Sequence, residues 1–242
     1  HRQSSAASDV YKRQFNSSAD ISPTGGQMPR LLGLAQASKL YRQLDEVAQA
    51  KSGFTAGGDE IAIGTIGDAS TSEGLFWETM NAAGVLQVPM LMNVWDDGYG
   101  ISVPKHYQTT KASISQALSG MEMEEGTNGL VIFRVKGWDY PSLIATYETA
   151  AQRCREEHVP VLVHVEEVTQ PQGHSTSGSH ERYKSEERMA WAAEYDCIAQ
   201  FGQFLVLEGA ATQEELDAIR KEAKKEVRQE QWKWGDHHRK KQ

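Results

Sequence analysis

Two aspartates set the chemical question. Asp68 follows a short apolar run, Ile61 to Ile66, in a Gly67-Asp68 pair, and Asp97 follows a second run, Met90 to Trp95, and is itself followed by Gly98-Tyr99. A magnesium ion takes one or two carboxylates and fills the rest of its octahedron with water and phosphate oxygens. Two neighbouring strand ends that each present an oxygen ligand would therefore suit a metal-held diphosphate. A helix opening near Thr71 would turn unpaired N–H groups and the positive end of its dipole toward the same anion. Taken alone, Gly-Asp after a strand is a common turn, and a plain turn aspartate is the competing reading.

A third loop carries Gly173-His174-Ser175-Thr176-Ser177, followed by Glu181-Arg182-Tyr183-Lys184. Histidine can donate a hydrogen bond to a phosphate or move a proton near neutral pH, although a histidine in a serine-rich loop is commonly just solvated. His164 and His180 are assigned no work.

The elements that must position these loops alternate. Met28, Leu31, Leu32 and Ala35 repeat at helical spacing, which predicts an amphipathic helix from about Pro29 to Arg42, and a loop follows from Ser52 to Glu60. Ile61 to Ile66 reads as a strand. Ser70 and Glu73 form an S-x-x-E capping box for a helix with Phe76, Met80, Ala83 and Leu86 on one face. Met90 to Trp95, Leu130 to Val135 and Pro160 to Val165 are the next strands. Asp139 caps a helix with Pro141 in its first turn and a buried stripe of Leu143, Tyr147, Ala150, Ala151 and Cys154. Strands alternating with helices imply an α/β fold, a mainly parallel sheet with helices on both faces, whose ligands sit beyond the carboxyl ends of the strands. Thr212 to about Arg228 is a last helix, with Thr212 and Glu215 as its capping box and Leu216, Ile219, Ala223 and Val227 on one side, forming a helical C-terminal tail.

Bulk properties narrow the function. The 242 residues allow one medium domain with a tail, and 39% hydrophobic residues suffice for a core. With 25 basic against 33 acidic residues the net charge is −8, which argues against nucleic acid as a partner. No apolar run approaches the roughly 20 residues that span a bilayer, so no membrane and a cytoplasmic location are expected. Cys154 and Cys197 lack the companions of a zinc site or disulfide framework. No GxxxxGK[ST] occurs, which weakens a nucleotide-binding module. Ser4 to Gln14 resembles the in-frame translation of a transposase adapter used in sequencing libraries, so residues 1–14 are set aside as an artefact and the authentic, truncated chain is expected to begin near Phe15. Residues 15–205 then form the α/β domain and 206–242 the tail.

The words around the two aspartates make a resemblance specific. Gly67-Asp68-Ala69-Ser70-Thr71-Ser72-Glu73-Gly74, Asn81-Ala82-Ala83, Val88-Pro89 and Asp96-Asp97-Gly98-Tyr99-Gly100-Ile101-Ser102 are similar to the thiamine-diphosphate signature of the alpha subunit of 2-oxo acid dehydrogenases, the decarboxylating first component. The Gly-His-Ser loop resembles the same subunit, and Ser22-Pro23-Thr24-Gly25-Gly26-Gln27-Met28-Pro29 is similar to its segment that meets the aminopyrimidine ring. Fused alpha-beta chains are the nearest likeness in wording. The resemblance implies thiamine diphosphate and Mg2+ as cofactors. Asp68, the Asp97 side chain and the Tyr99 carbonyl would bind the metal, and Ser22, Thr24, Gly67, Asp68, Ala69, Ser70, Asp97, Tyr99, Ile101 and His174 the cofactor. His174 would assist acyl transfer. It further implies a beta subunit or fused beta domain, which supplies the glutamate that activates the aminopyrimidine, and a lipoyl-bearing acyltransferase component. An alpha-beta hetero-oligomer or a dimer of fused chains would result. Branched-chain 2-oxo acids and pyruvate are the rival substrates, and a transketolase-like enzyme or a non-catalytic α/β fragment are the rival identities. Two departures stand out: the family usually has glycine where this chain has Ala69, and a pair of asparagines at Asp96 and Asp97. The second adds negative charge beside the diphosphate and requires a compensating base that the sequence does not name.

Overall fold

A computed structural model describes residues 23–50 and 55–239, with side chains to Glu230. Two helices, α1 (Met28–Gln43) and α2 (Asp45–Ala50), lead into strand β1 (Ala62–Gly67). There follow α3 (Gly74–Leu86), β2 (Met90–Trp95), the short strands β3 (Tyr99–Gly100) and β4 (Val103–Pro104), and one turn of helix α4 (Ile114–Ala117). Then come β5 (Val131–Lys136), α5 (Tyr140–Glu157), β6 (Val161–Glu166), α6 (Glu186–Glu194), α7 (Cys197–Leu207) and α8 (Gln213–Arg239).

The four long strands make one parallel sheet in the order β1-β2-β6-β5. Its register pairs Gly67 with Trp95, Trp95 with Val165, and Lys136 with Glu166, so the carboxyl ends finish level. The loops after β1, β2 and β6 thus leave from one rim, as the alternation of strands and helices predicts.

Strand side chains alternate between faces, and each face has its own core. Met90, Met92, Val94 and Leu162 enter one core with Met28, Leu31 and Ala35 of α1 and Phe76, Met80 and Ala83 of α3. Leu91, Val161, Val163 and Val165 enter the other with Ala150 and Cys154 of α5, and Leu143, Tyr147 and Ala151 pack against it. Full burial of each Met or Phe contributes roughly 1.5–3 kcal/mol. Gly64 lets α1 approach closely, since a Cβ there would run into the Leu31 side chain. The second face is covered only in part. Along β1 it leaves Ile63, Thr65 and Gly67 exposed, and Trp95 of β2 is also exposed.

Two predicted caps form. Asp139 Oδ1 accepts from Ser142 N at 3.2 Å at the start of α5, and Thr212 and Glu215 exchange bonds of 2.8 and 3.2 Å at the start of α8. The Ser70–Glu73 capping box does not. A 3-10 turn over Ala69–Ser72 intervenes, so Glu73 becomes the residue before α3 and its side chain makes no cap. Leu86, expected on the buried face of α3, is 40% exposed because it lies in the last turn, past the sheet. On α8, Leu216 approaches α7 at Gly202, whereas Ile219 and Val227 stay exposed. Among the described residues no helix is long and apolar enough to cross a membrane. The 1–14 segment and Ser22 lie outside the described residues.

Candidate functional site

The first loop is drawn inward. Asp68 N–H donates to Trp95 O at 3.1 Å, which extends the β1–β2 ladder by one residue, and Asp68 O accepts from Thr71 N at 3.2 Å and Thr71 Oγ1 at 2.5 Å. These bonds bury Asp68 to 5% exposure, and its Oδ2 has no hydrogen-bond partner among the described residues. Burial first, then the neighbouring carboxylates of Asp96 and Asp97, push the Asp68 carboxyl up to about 7. An unpaired carboxylate oxygen crowded by two others is a place that a cation would stabilise. Ala69 needs no left-handed backbone, because it opens the 3-10 turn in ordinary right-handed geometry. Its methyl fills the space over Gly100, where an added Cβ would come within 2.7 Å of Ala69 Cβ.

The turn before α1 seats against this loop. Gly25, at φ +70°, is buried, and a Cβ on it would lie 3.2 Å from Glu73 Cβ. Thr24 beside it is exposed. The segment that the resemblance assigns to the aminopyrimidine is thus brought to the turn that follows Asp68.

In the second loop the adjacent aspartates face different ways. Asp97 Oδ1 accepts from Tyr99 N at 3.1 Å, an Asx-type turn that fixes the carboxylate and leaves the other oxygen available. Burial raises the Asp97 carboxyl, opposed by the Tyr99 N–H and by Lys184. Asp96 turns into the protein, with Oδ2 accepting from Lys105 Nζ at 2.7 Å and from His164 Nε2 at 3.0 Å. Burial acts to raise the Asp96 carboxyl, but these bonds more than offset it and hold it below the usual carboxylate range.

Supports for this loop arrive from far along the chain. Arg188 Nη2 donates to the Asp97 carbonyl at 3.1 Å, Tyr183 packs edge-on against Tyr99 with ring centroids 5.6 Å apart, and Lys184 Nζ lies 4.8 Å over the Tyr99 ring. Burial lowers the Lys184 amine, with the charge of Asp97 opposing the shift. Asp96, Asp97, Tyr99, Lys105, His106 and Arg188 border a cavity of ≈ 340 Å³. Ile101 caps the β3–β4 hairpin at φ +59° and is 50% exposed. A β-branched residue in that region is strained by about 1–3 kcal/mol, a cost typical of sites whose shape is held in advance.

The third loop is built differently. His174 is exposed, and its ring Nδ1 accepts from Thr176 N at 3.1 Å and lies 3.0 Å from Thr176 Oγ1. Its carbonyl accepts from Ser177 N and Ser177 Oγ, both at 3.0 Å. A backbone donor at Nδ1 puts the neutral ring's proton on Nε2, leaving a donor free for an incoming anion.

The fold therefore brings Gly67, Asp68, Ala69, Ser70, Asp97 and Tyr99 to one rim, with Thr24 and Ile101 at its margins. Among the described residues the His174 ring makes its hydrogen bonds within its own loop. Lys105, His164 and Arg188 were missed by the sequence reading. Lys105 and His164 supply the base that Asp96 requires, and Lys184 and Arg188 stand in the same relation to Asp97. Among the described residues no three His, Cys, Asp or Glu side chains are grouped as a metal cage. Magnesium needs fewer, and the oxygens of Asp68 and Asp97 with a backbone carbonyl are a hard-oxygen set of the kind it takes alongside phosphate.

The dehydrogenase E1 component family matches residues 3–240. The chain is 30% identical over 210 residues to the 3-methyl-2-oxobutanoate dehydrogenase subunit alpha of Mycobacterium tuberculosis, covering 85% of this chain and 51% of that protein. It is 28% identical over 209 residues to the pyruvate dehydrogenase E1 component subunit alpha of Bacillus cereus, covering 85% and 54%. The chain thus spans about half the length of these relatives. A transketolase structure from Campylobacter jejuni aligns over 60% of this chain and 20% of its own at TM-score 0.46 and 16% identity.

Proposed function

Because the chain belongs to the dehydrogenase E1 component family, we propose that it forms the diphosphate- and magnesium-binding half of a thiamine-diphosphate site for oxidative decarboxylation of a 2-oxo acid. The observation that carries this is the buried, unpartnered Asp68 Oδ2 set against the carboxylates of Asp96 and Asp97. When bound, the cofactor supplies the electron sink that decarboxylation requires. The chain's own residues anchor and orient it. Asp68, the free oxygen of Asp97 and the Tyr99 carbonyl hold the magnesium, and α3, which begins at the rim beyond β1, turns its N-terminal end toward the diphosphate. His174 stands with Nε2 as a donor at the entrance, where an acyl group passes to a lipoyl arm. The aminopyrimidine side of the site belongs to a beta subunit or fused beta domain. Relatives named for 3-methyl-2-oxobutanoate and for pyruvate support a substrate from one of those two classes.

Calorimetry with thiamine diphosphate and magnesium on the 242-residue chain tests the assignment. Replacing an outer support of a metal ligand costs about 10- to 100-fold in affinity, so loss of a ligand in Asp68→Ala should exceed that. Equal binding by parent and variant rejects it. Adding a beta partner and comparing decarboxylation of 3-methyl-2-oxobutanoate with that of pyruvate selects the substrate class.

A further inference from the structure

Asp96 is the carboxylate for which the proposed magnesium site has no use. It neighbours Asp97, is 2% exposed, and spends Oδ2 on Lys105 and His164, while its Oδ1 has no hydrogen-bond partner among the described residues. His164 has no exposed surface, and its Nδ1 lies 2.9 Å from Ser115 Oγ, which in turn lies 3.2 Å from Ser113 Oγ. Asp96 directly follows β2, His164 lies in β6, Lys105 follows β4, and Ser115 belongs to α4, so the cluster joins four separate elements behind the loop. The main chain of Asp96 is fixed as well: its N–H donates to Val165 O at 2.9 Å, and its carbonyl accepts from Val168 N at 3.0 Å.

This arrangement has a consequence for the anion next door. A buried carboxylate without partners would both destabilise the fold and repel a diphosphate. Lys105 answers both, because its ammonium bonds Asp96 while its side chain, 32% exposed, stays open on the side of Asp97 and Tyr99. It also lies near enough to Asp68 to act on that carboxyl. We propose that Asp96, Lys105 and His164 are a single positioning unit, in which Asp96 pins the loop to β6 through its bond to His164 while Lys105 cancels its charge. The loop then presents only Asp97 to the magnesium diphosphate. This rests on the reading of Asp68 and Asp97 as magnesium ligands. The rival role is that Lys105 contacts phosphate directly, with Asp96 irrelevant to binding.

The test uses the full chain carrying Lys105→Gln, Asp96→Asn, or both. It measures the thermal midpoint without metal and the affinity for inorganic pyrophosphate in saturating magnesium. Lys105→Gln should lower the midpoint by roughly 5 °C and weaken pyrophosphate by about tenfold, the effect of one uncancelled nearby charge. Adding Asp96→Asn should restore both readings to those of the parent. If the double variant keeps the tenfold weakness, Lys105 binds phosphate itself and the proposal is overturned. It is overturned equally if Lys105→Gln leaves both readings unchanged. Should Lys105→Gln not fold, recovery of a folded chain on adding Asp96→Asn is the same rescue, and failure to recover counts against it. If the parent itself does not bind pyrophosphate, the magnesium reading falls, while the midpoints still decide whether Lys105 acts through Asp96.

Discussion

The loop after β2 and the Gly173–Ser177 stretch beyond β6 are held in opposite ways, although the stem of the second loop is itself tied to Asp96 O through Val168 N and to Cys197 through Thr169. Asp96 takes its partners from residues 9 and 68 positions away, Lys105 and His164, and the Asp97 carbonyl takes Arg188 from 91 positions away. Among the described residues His174 bonds to Thr176 and Ser177, two and three positions on. The loop after β2 cannot change shape without disturbing the core, whereas the Gly173–Ser177 stretch can reorient at little cost to the rest. A metal clamp gains from being formed before its ligand arrives, since ordering it later subtracts from affinity. A residue with the role proposed for His174, meeting an arm carried by another protein, would gain from the freedom to adjust.

The comparison can be attacked first through pH. The Asp68 carboxyl lies near 3.8 when unperturbed and at about 7 in the folded chain, so between those values the folded state holds the extra proton. Stability of the metal-free chain should therefore fall as pH rises from 4 to 8, by up to about 4 kcal/mol. Asp68→Asn should flatten the profile in a denaturation series, and a flat parent profile would show that Asp96 and Asp97 do not crowd the Asp68 carboxyl. His164→Leu comes next. Leaving Asp96 with Lys105 alone should cost about 3 kcal/mol in urea unfolding, and a cost near zero would remove the contrast between the loops. Gly100→Ala sharpens it. The new methyl meets the Gln108 side-chain amide and the Ala69 methyl, with a loss of about 2 kcal/mol of which Ala69→Gly in the same chain should recover the part due to Ala69. Least is expected from His174→Ala, whose unfolding free energy should change by under about 0.5 kcal/mol, while acyl transfer with a beta partner and lipoyl acceptor present should fall sharply.

Much of this was legible in residue order. The strand runs, the Asp139 cap and the Thr212–Glu215 box depend on neighbours within a few positions, and Asp68 and Asp97 stand at strand ends that periodicity locates. What stayed hidden depends on the spatial order of the sheet. β6 inserts between β2 and β5, and that insertion alone puts His164 behind Asp96, where a strand histidine otherwise has no evident task. Lys105 could have been suspected, since it lies nine residues from Asp96 across a Gly-containing hairpin, but nothing in a linear pattern says that the hairpin folds back. The Ser70–Glu73 pair was misread for a local reason: S-x-x-E spacing fits a 3-10 turn followed by a helix as well as it fits a helix start.

The bare side of β1 has a practical corollary. Ile63, at 60% exposure, and Trp95, at 54%, lie beside a strand that borders the described sheet, and parallel strands of this kind are ordinarily roofed on both sides. Concentrated solutions of the lone polypeptide should self-associate through that margin. Ile63→Lys should keep them clear in light scattering without altering the magnesium loops.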